Sequence, residues 1–521
     1  MSESLLEKFY KSNEEKERVK LIDSMLEEYS FYLDLVLNNI IGKKELRNNA
    51  YLLNLMSKKK RVNEYLLTKF KRNHFEILIN DTDPKTRKNT YIFMGNFINK
   101  DYLIDLIKLL KKEDINYCIS SLILTLGNYN IKNVEEVMNK YKEILDNKLN
   151  NKEIEEVHYK EIVNSINKVI GKSSKVEMHT FTKLNKEVSL YLTCMTPLVN
   201  TTLTDVKKYF SDVRKYKDGV IVKTNNLDKV FKIRTFYEAL IINNNYSELT
   251  LSEVKENINE FLNSNFLFDI HKEKHAFTYR IEFVTTKNKQ EKVDVYNTIN
   301  EMINKSYKDK YQNNPSSYEF EIRIIDNGEN YDVFYKLYTY KDNRYDYRIK
   351  DLPASINPTS ASIMLNEVSK YLRKGARVLD PFCGTSTMLI ERSYINECDL
   401  TGVDISASAI EYSRVNSKAC NVSVNLVKQN CLEHEGYYDE IISNMPYGNR
   451  VGTHLSNEIL YKDFINRLVK LLNDNGVAIL LTSEISLIKK LVKNKSKLQL
   501  IKDIYCETGG LTPHLFVIKK V

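Results

Sequence analysis

The sequence predicts a multidomain chain with an all-α N-terminus, a mixed α/β middle and a C-terminal α/β domain built on a largely parallel sheet. Three observations predict it. Over residues 1–170, Leu, Ile and Tyr recur at intervals of three and four, the period of helices with one buried face. From residue 176, short alternating runs take turns with helical ones. From residue 350, short apolar runs alternate with helical stretches, the order of a βαβ series covered on both faces. A length of 521 residues is more than one core organises, so two to four domains are expected.

Composition narrows the class. Hydrophobic residues make up 42% and charged residues 28%, a globular balance that excludes disordered, collagenous and membrane chains. A formal charge of +9 permits a polyanionic partner without arguing for one. With 15 Gly and 8 Pro, the chain has few breakers and should hold long regular elements. Its cysteines are Cys118, Cys194, Cys383, Cys398, Cys420, Cys431 and Cys506, scattered and without a Cys-x-x-Cys. That spacing gives neither a disulfide framework nor a zinc site, the histidines form no ligand cluster, and no metal is expected. A reducing cytoplasm is the natural setting. The N-terminus is charged at once and does not read as a signal peptide. No stretch approaches the ~18 uncharged apolar residues of a membrane span, so no membrane association is expected.

Within residues 1–175 two stretches look self-similar. Each places an Asp early (Asp83, Asp114), an apolar helix next and a Gly near its end (Gly95, Gly127). Arg47 precedes Arg87 by 40 positions. A period of ~40 with paired helices marks a helical solenoid, and the units resemble HEAT-type repeats. A non-repeating helical bundle is the competing reading.

In residues 176–263, VSLYLTCMT reads as a strand, TLTDVKKYF as a helix, GVIVKT as a strand, and LDKVFKIRTFYEALII as helix then strand. In residues 264–349, FTYRIEFVTT is a strand and VDVYNTINEMINKSYKDKY an amphipathic helix. Two alternating strands then flank the turn Asn327-Gly328-Glu329-Asn330. Tyr279, Arg280, Lys305, Tyr307, Lys308, Lys310 and Tyr311 are candidates for an RNA surface. A solvated helix face is the plainer reading.

In residues 350–521, strands are expected at 376–380, 399–406, 422–430, 438–448 and 476–483, with helices between them. The last two strands, 500–507 and 514–520, leave no room for a crossover helix and should pair antiparallel at one edge. Ligands of such sheets bind beyond the carboxyl ends of the strands, and three of those ends carry marked side chains. The first, Asp380 to Thr387, holds Gly384 in a strand-to-helix turn. It lacks the Gly-Lys-Ser/Thr of a phosphate loop, so an uncharged or zwitterionic cofactor fits better than a triphosphate. At the second, Asp404 is placed to accept both hydroxyls of a ribose; capping the next helix is its structural alternative, although Ser406 stands better for that. The third is Ser443-Asn444-Met445-Pro446-Tyr447-Gly448-Asn449-Arg450. The Asn444 carboxamide oxygen and a carbonyl beside Pro446 can both accept from an exocyclic base amine, and Tyr447 can stack on the extruded base. Two acceptors draw the amine hydrogens out of the ring plane and turn the lone pair toward an electrophile.

On these residues, 350–521 resembles the class I, Rossmann-like S-adenosylmethionine-dependent methyltransferases. It is most similar to the THUMP-containing enzymes that methylate the exocyclic amine of guanine in RNA, in the branch acting on the tRNA acceptor stem. The resemblance implies that S-adenosylmethionine is held by Asp380, Pro381, Cys383, Gly384, Thr385, Thr387, Asp404, Ile405, Asn430, Cys431 and Asn444. It implies that Asn444, Met445, Pro446 and Tyr447 are catalytic, with Gly448, Asn449, Arg450, Arg280, Lys305 and Lys308 meeting the RNA. Residues 176–263 look like the ferredoxin-like domain of these enzymes, with Arg234-Thr235 in its helix, and 264–349 like THUMP, which grips the tRNA 3′ end. Three positions depart from the pattern: Ser386 replaces a usual Gly, Met445 a usual Pro, and Asn430 a usual Asp. Residues 1–175 lie outside it, leaving RNA binding, recruitment of a protein partner and bracing as their roles. The rival functions are guanine-N2 methylation of rRNA or of another tRNA position, an adenine amine, and a catalytically weak RNA clamp on the same fold.

Overall fold

The computed structural model describes residues 4–12, 14–129, 134–173, 178–286, 288–353, 355–446, 454–507, 510 and 512–521. The chain divides into two units, Met1–Glu177 with Asn314–Tyr318, and Met178–Asn313 with Glu319–Val521.

The described part of Met1–Glu177 is helical, as the 3.6-residue period predicts. Helix Leu46–Met56 packs on Pro84–Asn96, that on Asn116–Leu126, and that on Glu156–Ser173, so alternate layers stack in chain order. Asp83 opens the second of these by accepting from the Lys85 amide at 3.0 Å, with Pro84 in the first turn. Asp114 does not open the third. Glu113 holds that corner instead, accepting from the Ile115 amide at 3.2 Å, from Tyr91 Oη at 2.8 Å and from Arg87 Nε and Nη2 at 3.0 and 2.9 Å. The Glu113 side chain is only 3% exposed. Removing one member of such a pair leaves a buried, uncompensated charge, so Glu113→Ala should destabilise this unit by about 3–5 kcal/mol in chemical denaturation.

The second unit holds two sheets. The first contains β1 (Val188–Thr193), β2 (Val213–Tyr216), β3 (Gly219–Thr224), β4 (Ala239–Ile242), β5 (Phe277–Val284), β6 (Tyr311–Asn313), β7 (Phe320–Asp326) and β8 (Tyr331–Leu337). Its order is β2-β3-β1-β4-β8-β7-β5-β6. The two middle modules therefore share one continuous sheet, joined where Ile241 on β4 faces Tyr335 on β8. The β7–β8 hairpin turns where expected: Asn327 N–H donates to Asn330 O at 2.9 Å, and Gly328 has φ +101°.

The second sheet contains β9 (Ala376–Asp380), β10 (Cys398–Asp404), β11 (Val424–Lys428), β12 (Tyr438–Asn444), β13 (Leu472–Thr482), β14 (Leu498–Tyr505) and β15 (His514–Lys520). The order is β11-β10-β9-β12-β13-β15-β14. The first five are mutually parallel, and β15 lies antiparallel between β13 and β14. The winding reverses between β9 and β12, the place where such sheets open a crevice at their carboxyl ends. An unforeseen helix, Pro358–Glu367, precedes β9. Asn357 caps it, accepting from the Thr359 and Ser360 amides at 2.8 and 3.3 Å.

Arg234-Thr235 ties the first sheet's module to the second. Arg234 grips Glu391 on helix Thr387–Ser393 through Nε and Nη2 at 2.8 and 2.7 Å, and Tyr347 Oη adds a bond to the same carboxylate at 2.7 Å. Thr235 Oγ1 donates to Asp205 at 2.8 Å. Among the described residues no helix is long and apolar enough to cross a membrane.

Candidate functional site

β9 carries Asp380 to the carboxyl edge, where it is 2% exposed. Its Oδ1 accepts from Ser443 Oγ at 2.6 Å and from the Phe382 amide at 3.0 Å. Burial pushes this carboxyl up to about 7. The bonds from Ser443 and Phe382 oppose that rise, and the charge of Asp404 adds to it.

The turn after β9 favours a residue without a side chain at Gly384, which has φ +52°. Its amide donates to Asp404 Oδ2 at 3.0 Å. Gly402 on β10 is needed for a different reason: a Cβ there would stand 3.1 Å from Cys383 Sγ, so the bare strand lets the turn lie against it. The Cys383 amide donates to Val403 O at 3.0 Å and locks that approach. Ser386 also sits in the left-handed region, at φ +61°. That conformation is the physical reason a glycine suits the position. Here the serine is held by a hydrogen bond between its hydroxyl and that of Ser413, on helix Ala407–Ala419.

β10 ends at Asp404. Its Oδ1 accepts from the Ser406 amide at 2.8 Å and its Oδ2 from Gly384. A carboxylate offers about four acceptor sites, so two remain for a ligand. Ser406 caps the following helix by accepting from the Ala409 amide at 3.4 Å. Ile405 is 72% exposed on the rim. Beyond β11, Asn430 Oδ1 accepts from the Leu432 amide at 3.1 Å.

β12 ends at Asn444. Its Oδ1 is buried and has no hydrogen-bond partner among the described residues. A buried acceptor in that state costs about 1–3 kcal/mol, which a ligand donor would recover. The Met445 amide donates to Leu481 O at 2.9 Å, and Pro446 O accepts from Tyr461 Oη at 2.8 Å.

These strand ends enclose a cavity of about 640 Å³. Asp380, Pro381, Cys383, Gly384, Thr385, Thr387, Asp404, Ile405, Asn430, Cys431 and Asn444 all line it, with Met445 and Pro446 beside them. Sequence reasoning missed Leu352, Ser355 and Ile356, which close it from the segment before β9, and Leu460 on helix His454–Leu471. The Asn357-Pro358 helix start was the available signal for the first three. Among the described residues the lining includes Asp380 and Asp404 but neither Lys nor Arg. A phosphate chain would find no counter-charge there, whereas a nucleoside bearing a positive centre would find two carboxylates.

Tyr447, Gly448, Asn449 and Arg450 lie outside the described residues. The remaining RNA candidates are not at the cavity. Arg280 is held by Glu321 through Nε and Nη2 at 2.8 and 2.6 Å. Lys305 and Lys308 are exposed near the end of helix Lys289–Tyr307. Tyr279 and Tyr311 are buried, with their hydroxyls on Asn300 and Leu262, so neither ring is available to stack on RNA. Tyr307 is half-buried and donates to Asn259 O at 3.4 Å. The alternation that buries Tyr279 beside Phe277 and Ile281 is visible in the sequence.

Among known proteins, residues 345–512 match the family described as the RMKL-like methyltransferase domain. Over 176 residues, 33% of this chain and 51% of the relative, the chain is 27% identical to a tRNA (guanine(6)-N2)-methyltransferase of Thermus thermophilus. Over 91 residues, 17% of this chain and 34% of the relative, it is 32% identical to a ribosomal protein L11 methyltransferase of Thermotoga neapolitana. The chain thus spans about half the length of the first relative and a third of the second. The crystal structure of TrmN from Thermus thermophilus superposes with a TM-score of 0.52 at 19% identity, over 64% of this chain and 100% of that one. At that identity the likeness is one of fold. The chain therefore joins a helical N-terminal region to a C-terminal α/β domain with a methyltransferase fold, and it is residues 345–512 that match the RMKL-like kind.

Proposed function

We propose that this chain transfers a methyl group from S-adenosylmethionine to the exocyclic N2 amine of a guanosine in tRNA, in the acceptor stem. The observation that carries the reading is Asn444, whose oxygen is buried, unpartnered among the described residues and set on the wall of a cavity that also holds the carboxyls of Asp380 and Asp404. When bound, the cofactor supplies an electrophilic methyl on a sulfonium. Asp404 accepts from the ribose hydroxyls, and Ile405 offers an apolar face to the adenine. Asp380 lies against the positive end. Asn444 and the Met445 carbonyl take the two hydrogens of the guanine amine and aim its lone pair at the methyl group. No strong base is required, because the amine sheds its proton only after the transfer has made it acidic. Tyr447 stacks on the extruded base.

An RNA substrate is favoured over a ribosomal protein by the extent of likeness: 176 residues against 91. In this reading the first sheet's module comprises the ferredoxin-like and THUMP parts that hold the tRNA 3′ end. Lys305 and Lys308 face the RNA, and Arg280 supports that surface through Glu321. Residues 1–175 form a HEAT-like array, the setting is the cytoplasm, and no metal takes part. The test is transfer of a labelled methyl group by the purified chain. Label entering tRNA supports the reading; label entering rRNA or ribosomal protein while tRNA stays unlabelled would sink it.

Asp380 sets a pH dependence. Its carboxyl is raised from the ordinary 3.8 to about 7, so over much of that interval it is protonated in the folded protein and charged in the unfolded chain. The ligand-free protein therefore loses stability as pH rises from the lower value toward the upper one. Attraction for the sulfonium needs the charged form. Affinity for S-adenosylmethionine should thus climb by up to about tenfold per pH unit below 7 and level off above it. S-adenosylhomocysteine, which lacks the positive sulfur, should show a shallower dependence. Calorimetric titrations of both ligands at about pH 6 and pH 8 check this.

A further inference from the structure

We propose that Tyr461 is a positioning residue for the transfer, fixing the main chain beyond Asn444 so that the Met445 carbonyl is the one presented to the substrate amine. This deepens the reading above and rests on it. Helix His454–Leu471 carries Leu460 to the cavity wall and buries its neighbour Tyr461 beside Met445, Phe464 and Leu480. The Tyr461 hydroxyl lies 2.8 Å from Pro446 O and 2.7 Å from Thr482 Oγ1. A carbonyl can only accept, and a hydroxyl has one proton to give. Tyr461 therefore donates to Pro446, and the bond between the two hydroxyls is donated by Thr482. Thr482 Oγ1 in turn accepts from the Glu484 amide at 3.0 Å. The proton order runs one way, from the end of β13 through two hydroxyls to the Pro446 carbonyl.

The peptide joining Met445 to Pro446 is consequently held from both sides. On one side the Met445 amide donates to Leu481 O at 2.9 Å. On the other, Tyr461 engages the carbonyl of Pro446, a residue with no amide hydrogen of its own and a fixed φ. Between these anchors, no described residue donates to the Met445 carbonyl. Tyr461 takes one of the two acceptor sites of the Pro446 carbonyl and fixes that carbonyl toward its own hydroxyl, and the carbonyl it leaves with both sites is the nearer neighbour of Asn444. An in-line displacement loses about a hundredfold for a misplacement on the order of 1 Å, so a clamp of this kind bears on rate more than on affinity.

The experiment compares the wild-type chain, Asn444→Ala, Tyr461→Phe and Thr482→Val. Tyr461→Phe keeps the ring in the core and removes only the hydroxyl. The expected result is S-adenosylmethionine and tRNA dissociation constants within about twofold of wild type, with a single-turnover methylation rate lower by about 10- to 100-fold. Thr482→Val keeps the shape and removes the donor to Tyr461, and a smaller loss of rate with the same unchanged affinities is expected. A merely structural role would lower thermal stability or weaken both ligands without this split between rate and affinity. A wild-type rate in Tyr461→Phe, alongside an inactive Asn444→Ala, would overturn the positioning role and leave the methyltransferase reading standing. If Tyr461→Phe does not fold, an unimpaired rate in Thr482→Val overturns the role. A wild-type chain that methylates no RNA would overturn the broader reading and this role with it.

Discussion

Asn444→Ala is expected to bind tRNA and S-adenosylmethionine nearly as well as the wild type and to turn over about 10²- to 10³-fold more slowly, the loss seen when one preorganised polar group facing a reacting centre is removed. The reason lies in where its oxygen is. It is buried at the end of β12 and has no partner among the described residues, so the ligand-free protein gains nothing from it. Its deletion should cost little stability, and folding should even improve slightly, because an unsatisfied acceptor disappears. The damage is confined to the step in which the amine lone pair must point at the methyl group. Asn444→Asp retains an acceptor at the same place and should keep more of the rate. The decisive comparison is single-turnover methylation beside calorimetric affinities. Equal rates in Asn444→Ala and wild type would remove this residue from the chemistry.

Asp404→Ala should weaken S-adenosylmethionine by about 10²-fold, since two hydrogen bonds to a charged acceptor contribute about 1.5–3 kcal/mol each before partial replacement by water. This carboxylate has a second duty. It receives the Gly384 and Ser406 amides at 3.0 and 2.8 Å and so joins the glycine turn to β10. Some loss of thermal stability is therefore expected in the variant. Asp404→Asn separates the two effects: one oxygen remains to hold an amide, while the capacity to accept both ribose hydroxyls is lost. Unchanged cofactor affinity in Asp404→Ala would show that the ribose is held elsewhere.

The cofactor half of the site was legible because each residue in it sits at the end of a strand, and strand ends follow from apolar runs bounded by turns. Asp380, Asp404 and Asn444 close three such runs, and parallel pairing brings them to one edge. Features that depend on distant pairing were not legible. β2 and β6 are four and three residues long and carry no period of their own. The joining of β4 to β8 depends on residues almost a hundred positions apart, as with Ile241 and Tyr335. Nothing in the sequence links Tyr461 to Pro446, because that contact is made only once helix His454–Leu471 has docked on β13. The choice of Glu113 over Asp114 turns on which carboxylate the connection between helices Leu103–Leu109 and Asn116–Leu126 turns inward, and their side chains are 3% and 84% exposed.

The central claim is that a guanine amine is what Asn444 and the Met445 carbonyl receive. The most direct test is mass spectrometry of the nucleosides of bulk tRNA and rRNA after incubation with the purified chain and isotopically labelled S-adenosylmethionine. Label recovered as N2-methylguanosine from tRNA is the predicted result. Label recovered as N6-methyladenosine, or no labelled nucleoside from either RNA, would contradict it.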